Sequence, residues 1–280
     1  MTDPTPFPAN ASGNTTPTPA LRVPNLYAVA SGKGGVGKTW FSITLCHALA
    51  MRGKRVLLFD GDLGLANIDI QLGLTPDKDL GAVIDGKATL AGAITRYTDG
   101  KFDILAGRSG SGNLAMLPTQ KLSALRSDLI ALAASYDHVV IDLGAGVDRA
   151  TRQMAGPSAI SFIVVNDEPT SLTDAYATVK VLVGQQKRQT IRMVINQTAR
   201  LGDGRAITVQ LQQVLDRFVP TEPGRPIKLV HMGDIPADPA VRQAIMRRQL
   251  LMQATPSCPA AMAISQLALK LEESVISRNK

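Results

Sequence analysis

The sequence predicts a doubly wound, mostly parallel α/β sheet flanked by helices. Apolar runs of strand length recur along the chain, and several (VLLFD, VVID, FIVV) are apolar at consecutive positions, the pattern of strands buried on both faces. Stretches of helical length separate them, which is the alternation of a parallel sheet. Polar residues Asp60, Asp62, Asp142 and Asn196 fall at the carboxyl ends of these runs, where such sheets place their ligands.

In chain order the expected strands are Leu26–Ala30, Arg55–Asp60, Phe102–Ala106, His138–Leu143, Ala159–Val165, Ile191–Asn196 and Ile227–His231. Helices are expected over Lys38–Arg52, Leu117–Ser135 and Thr170–Gly184. A terminal helix is expected from Pro259 to Ser277, where Met262, Ile264, Leu267, Leu271 and Val275 recur near helical spacing. Residues 1–24 are rich in Pro, Thr, Asn and Ser and are expected to form a disordered tail, leaving residues 25–280 as one domain with its C-terminal helix.

Composition narrows the function classes. Apolar residues make up 45% of the chain, enough for a substantial core, while no run approaches the roughly 20 residues of a membrane span. The first residues lack a basic start and an apolar core, so a secretory signal is not expected and a cytoplasmic location is. Cys46 and Cys258 are far apart and in no metal-binding spacing, which argues against a disulfide scaffold or a zinc site. The net charge of +7 suits nucleotide, nucleic acid or anionic lipid as partner without choosing among them.

Chemistry enters with Ser31-Gly32-Lys33-Gly34-Gly35-Val36-Gly37-Lys38-Thr39, which satisfies G-x-x-x-x-G-K-[ST] between a strand and a helix. Glycines let consecutive amides curl towards phosphate oxygens, and the helix N-terminus adds partial positive charge. Gly34, Gly35, Val36, Gly37, Lys38, Thr39 and the backbone amide of Trp40 are therefore the expected phosphate-binding set. Lys38 is placed to reach the β- and γ-phosphates of ATP. Thr39 offers a hydroxyl to Mg2+, which prefers oxygen ligands. The fold expected is thus that of a P-loop NTPase.

The second lysine of the loop, Lys33, gives the form KGGVGKT, which resembles the MinD/ParA family of deviant Walker A ATPases, of SIMIBI type. The resemblance implies that Lys33 contacts ATP across a homodimer, so that Lys33 and Lys38 both act in catalysis. It implies that in Asp60-Gly61-Asp62-Leu63-Gly64-Leu65-Ala66-Asn67-Ile68-Asp69, Asp62 positions the attacking water while Asp60 lies near the metal. Asp142, ending Val139-Val140-Ile141-Asp142, matches a Walker B carboxylate holding Mg2+, and Gly144-Ala145-Gly146 a second switch. Asn196 matches the position whose amide reads adenine, with Pro236 and Asp238 on a second adenine-side loop; Asn and Asp after strands also serve as helix caps. Trp40 departs from the family, which usually has Thr or Asn there. Its amide remains, so binding is expected to survive, weakened by about 1 kcal/mol for one lost hydrogen bond.

Four segments are similar to the flagellar-number regulators of the FlhG/FleN branch: DGDLGLANIDIQLGL (Asp60–Leu74), GRSGSGNLAML (Gly107–Leu117), EPTSLTDAYATVK (Glu168–Lys180) and DIPADPAVRQAI (Asp234–Ile245). This implies an ATP-dependent dimer that controls the number or placement of a structure, most directly polar flagella. It implies weak hydrolysis stimulated by a protein partner, and a location at the inner membrane or cell pole. The branch's N-terminal GTPase-stimulating helix is not matched, since Arg22 is followed by Val23-Pro24 and proline disfavours helix at Val23. A peripheral membrane surface is weakly signalled, because Lys270 on the last helix is offset by Glu272 and Glu273. The rival reading is a ParA-like ATPase binding DNA nonspecifically through Arg242, Arg247 and Arg248, with Lys187, Arg188 and Arg192.

Overall fold

A computed structural model of the chain describes residues 22–62, 65–107, 117–146, 148–186, 189–200, 202–220 and 226–276. Most of the tail expected over residues 1–24, most of the Gly107–Leu117 stretch, and the basic residues Lys187 and Arg188 lie outside the described residues.

The first half of the chain runs β1 (Val23–Ser31), α1 (Lys38–Met51), β2 (Val56–Gly61), α2 (Ile68–Leu72), α3 (Leu80–Ile84), β3 (Thr95–Tyr97), β4 (Phe102–Leu105), α4 (Thr119–Ala133) and β5 (His138–Ala145). It continues with α5 (Arg149–Ala155), β6 (Ser158–Val165), α6 (Pro169–Gln186), β7 (Thr190–Thr198), α7 (Asp203–Phe218), β8 (Lys228–Pro236), α8 (Pro239–Met246), α9 (Leu251–Ala254) and α10 (Pro259–Ile276). Among the described residues these strands form a sheet in the order β3-β4-β2-β5-β1-β6-β7-β8. Each neighbouring pair is parallel except β3 on β4, as the consecutive apolar runs predict.

Alternation along the strands divides the core in two. Tyr27, Val29, Leu58, Val140 and Val164 face a cluster completed by α1, α9 and α10. Leu26, Ala28, Leu57, Val139, Ile141 and Val165 face the cluster on α4, α5, α6 and α7. Apolar neighbours in sequence thus point to opposite faces, and both faces are covered by helices. Cys46 and Cys258 are free, buried thiols.

The differences from expectation have local causes. The first strand begins at Val23 because Val23 donates to Pro157 O at 2.8 Å, and the register shifts between Val23 and Tyr27 as the chain passes Pro24, which has no amide proton to give. That extended start bars a helix at the same residues. The three-residue edge strand β3 was not anticipated; Thr-Arg-Tyr is too short to show a period. The last strand extends to Pro236 through register shifts opposite Val194 and Thr198, with Gln197 in the left-handed region at φ 59.

Phe41 on α1 is fully buried and meets the Phe162 ring edge-on at 5.9 Å, joining the helix that follows the phosphate loop to the centre of the sheet. Phe41→Ala is expected to cost about 3–5 kcal/mol, read as a lower midpoint in urea unfolding monitored by circular dichroism.

Candidate nucleotide site

The turn from β1 into α1 is shaped by its glycines in two ways. Gly35 and Gly37 have φ of 82 and 88, a region that favours glycine. A Cβ on Gly34 or Gly35 would meet nothing within 4 Å, so this side of the loop is open. Gly32 is closely packed instead: a Cβ there would lie 2.2 Å from the backbone carbonyl of Asp174 in α6. Helix α1 starts at Gly37 with no side-chain cap and no acidic residue in its first turn. Its first amides therefore remain available to an external anion, the arrangement that binds phosphate.

The carboxylate of Asp142 organises the floor of the site. Its Oδ2 accepts from the Thr39 hydroxyl at 2.6 Å, and its Oδ1 accepts from Ser42 Oγ at 2.9 Å and Lys38 Nζ at 3.1 Å. Lys38 and Asp142 are both buried, and breaking such a pair typically costs about 3–5 kcal/mol because one charge is left uncompensated. Ser42 escaped the sequence reading. Its signal was one helical turn: it lies four residues after Lys38, on the same face of α1.

Asp60 is the register partner of Asp142 on the neighbouring strand. Its Oδ1 accepts from the Asp62 amide at 3.2 Å, and its Oδ2 accepts from the amides of Asn67 and Ile68 at 3.2 and 3.3 Å. Burial, with the charge of Asp142 adding to it, pushes the Asp60 carboxyl up to about 7 against the pull of those amides and Lys38. The pair offers only oxygen donors, as does Thr39, a set that suits Mg2+. No group of three or more His, Cys, Asp or Glu among the described residues is arranged to hold a metal on its own. A magnesium ion fits here only with phosphate oxygens and water as further ligands.

Asp62 is half-buried and accepts the Leu65 amide at 2.9 Å. A Cβ on Gly144 would come within 3.3 Å of Asp62 Oδ1, so the fold brings Asp62 to the Gly144-Ala145-Gly146 segment after Asp142. Lys33 lies on the rim. Its Nζ donates to Glu168 Oε2 at 2.6 Å and to Thr170 Oγ1 at 3.1 Å. The hydrogen bond and charge of Lys33 hold the Glu168 carboxyl below the usual glutamate range. The pair is exposed, so it is worth little to stability. Glu168 and Thr170 sit in the EPTSLTD segment, far from Lys33 in sequence, and nothing local to either segment announces the contact.

Other expected residues have partners within the fold. The indole of Trp40 is buried in the core cluster of α1 and does not face the loop; only its amide remains a candidate ligand. Asn196 is buried and donates its Nδ2 to Val36 O at 2.8 Å, so its amide braces the phosphate loop. Pro236 closes β8. Asp238 caps two helices: Oδ1 accepts from Ala240 N at 2.9 Å, the start of α8, and Oδ2 from Ala260 N at 3.1 Å, the start of α10. Arg192 is corrected from the expected basic surface. It is buried in β7 between β6 and β8 and belongs to no basic surface.

The glycine contrast is testable. Gly32→Ala is expected to cost about 1–3 kcal/mol through overpacking against α6, whereas Gly34→Ala should leave the urea midpoint unchanged; equal midpoints for the two variants would contradict the packing account.

Residues 27–251 match the CobQ/CobB/MinD/ParA nucleotide binding domain family, CbiA. The antiactivator FleN of Pseudomonas aeruginosa is 35% identical over 245 residues, covering 88% of this chain and 85% of FleN. The flagellum site-determining protein YlxH of Helicobacter pylori is 28% identical over 241 residues, covering 86% of this chain and 79% of YlxH. The septum site-determining protein MinD of Pyrococcus horikoshii, solved with Mg-ADP, shares the fold with a TM-score of 0.73 at 25% identity, covering 88% of this chain and 95% of MinD. Among the described residues no helix is long and apolar enough to cross a membrane. The chain belongs to the CobQ/CobB/MinD/ParA family, as a P-loop ATPase that takes ATP and Mg2+.

Proposed function

We propose that this chain is an ATP-dependent dimerising switch that controls the number or placement of a cellular structure, polar flagella in the first instance. The observation that carries the reading is the site itself: an uncapped helix start and an open glycine loop stand over Lys38, Thr39 and Asp142, with a second lysine on the rim. Similarity over most of both chains to FleN and to a flagellum site-determining protein supports the cellular role.

The residues divide the work by position. The loop from Gly34 to Gly37, with the amides of Lys38, Thr39 and Trp40, holds the phosphates, and Lys38 exchanges Asp142 for the β- and γ-phosphate oxygens. Thr39 and Asp142 would hold Mg2+, with Asp60 behind them. The ion, when bound, would supply neutralisation of phosphate charge. Asp62 orients the attacking water, and most of the rate gain comes from that positioning. Lys33 leaves Glu168 and Thr170 and reaches the nucleotide of a second copy. Asn196 steadies the loop from the base side.

A protein partner is favoured over lipid as the anchor of the switch. Helix α10 already spends its apolar face on the sheet, where Ala260, Ile264, Leu267 and Leu271 are buried. Lys270 donates to Met232 O, and Glu272 pairs with Arg52 and with Lys54. Arg242, Arg247 and Arg248 are exposed, which keeps a second reading, nonspecific DNA binding at the α8 end. The cytoplasm, with recruitment to the inner membrane or cell pole, is the location this reading implies.

Asp62→Ala is expected to lower ATP turnover by on the order of 10²-fold while retaining the ATP-dependent dimer on a sizing column; turnover at the wild-type rate would remove Asp62 from the reaction. Lys33→Ala should bind ATP yet stay monomeric by light scattering. A dimer of normal stability in that variant would show that the rim lysine does not act across the interface.

A further inference from the structure

Of the three side chains that meet Asp142, one has no other role open to it in the site. Lys38 and Thr39 stand at the start of α1, under the open loop, and each would exchange Asp142 for an atom of the nucleotide or its ion. Ser42 lies one helical turn further along and is 0% exposed, so no ligand reaches it. Its hydroxyl has one proton and two acceptors: Asp142 Oδ1 at 2.9 Å and the Lys38 carbonyl of its own helix at 3.1 Å. A charged acceptor makes the stronger bond, which assigns the proton to the carboxylate. The hydroxyl of Thr44, buried on the same helix, shows the other arrangement: it donates to Trp40 O at 2.8 Å, one turn back along α1.

Asp142 needs a partner that stays. It is 1% exposed in a strand flanked by β1 and β2, with the like-charged Asp60 as its register partner. Once Lys38 and Thr39 turn to the nucleotide, Ser42 is the side chain of α1 left on the carboxylate. A buried carboxylate oxygen that loses its donor is costly, and the terminal torsion of an aspartate is broad, so nothing in the side chain itself fixes which oxygen points where. With Oδ1 held by Ser42, the oxygen left to the ion is Oδ2, the one beside the Thr39 hydroxyl at 2.6 Å.

We propose that Ser42 is a positioning residue for the magnesium site: it holds Asp142 Oδ1 while the other partners are exchanged, and so keeps Oδ2 turned to the metal position. The proposal rests on the nucleotide reading above and adds to it a residue that touches neither nucleotide nor ion. Outer partners of this kind orient a ligating carboxylate, and their loss weakens the metal more than the rest of the site. The amides of the phosphate loop do not depend on the Ser42 hydroxyl, so nucleotide affinity without metal should not depend on it either.

The test compares the wild type, Ser42→Ala and Thr44→Val as full chains saturated with ADP, which keeps hydrolysis out of the readout. MgCl2 is titrated in, followed by calorimetry and by Trp40 fluorescence, and affinity for ADP is measured separately in EDTA. Circular dichroism shows that each chain is folded. Ser42→Ala should raise the free Mg2+ concentration at half-saturation at least about tenfold while changing ADP affinity in EDTA by less than about twofold. Thr44→Val should move neither quantity. In an Asp142→Asn background, adding Ser42→Ala should shift the Mg2+ half-saturation by less than about twofold, because residues that act through one another are not additive. Half-saturation in Ser42→Ala equal to that of the wild type would overturn the proposal. So would equal losses with and without Mg2+, the mark of a helix that has merely shifted, and so would a full further loss in the double variant, which would show Ser42 acting other than through Asp142. A wild-type chain that fails to bind ADP in either medium would overturn the nucleotide reading, and the role of Ser42 with it.

Discussion

One carboxylate in a central strand holds the start of the helix that follows the phosphate loop in place. Asp142 accepts from Lys38, Thr39 and Ser42, three groups on the first turns of α1, and so fixes the helix start over the carboxyl edge of the sheet. Without that anchor the uncapped N-terminus of α1 would be tied to the sheet only by Asn196 on Val36 O in the loop and by apolar contacts lower down, such as Phe41 on Phe162. Those contacts set the distance of the helix from the sheet but not the aim of its amides. The buried charge of Lys38 makes the anchor strong, because separating the pair would strand an ion in a medium that solvates it poorly.

From this constraint follows an economy of partners. The cations and hydroxyl assigned to phosphate and metal already have protein acceptors: Lys38 and Thr39 on Asp142, and Lys33 on Glu168 and Thr170. Ligand binding is then an exchange of acceptors, and its free energy is the difference between phosphate and carboxylate as partners. Asp60 extends the logic to the second strand. Its carboxyl, pushed up to about 7 by burial and by Asp142, is easier to ionise when a cation enters. The same residue gathers the amides that start α2.

Much of this was legible in the sequence because its physical basis is local. Consecutive apolar runs can be buried on both faces only in a covered sheet, and the glycine-lysine spacing has few purposes between a strand and a helix. What was not legible depended on partners distant in sequence. Glu168 meets Lys33 across 135 positions, and nothing in either segment announces it. Asp238 follows a strand like a ligand residue but caps two helices, a role decided by where Ala260 comes to lie. Arg192 reads as part of a basic stretch, yet its strand is internal and takes it into the sheet. Trp40 was placed correctly in sequence beside the loop, while the direction of its indole was set by the core face of α1.

The central claim is that Asp142 holds the phosphate site together. Calorimetric titration of Asp142→Asn with Mg·ATP, beside circular dichroism to show that the sheet is intact, tests it most directly. The account predicts affinity for Mg·ATP weakened by about 10–100-fold, the usual cost of losing a group that orients metal ligands, in a folded protein. Affinity for Mg·ATP equal to that of the wild type would contradict it.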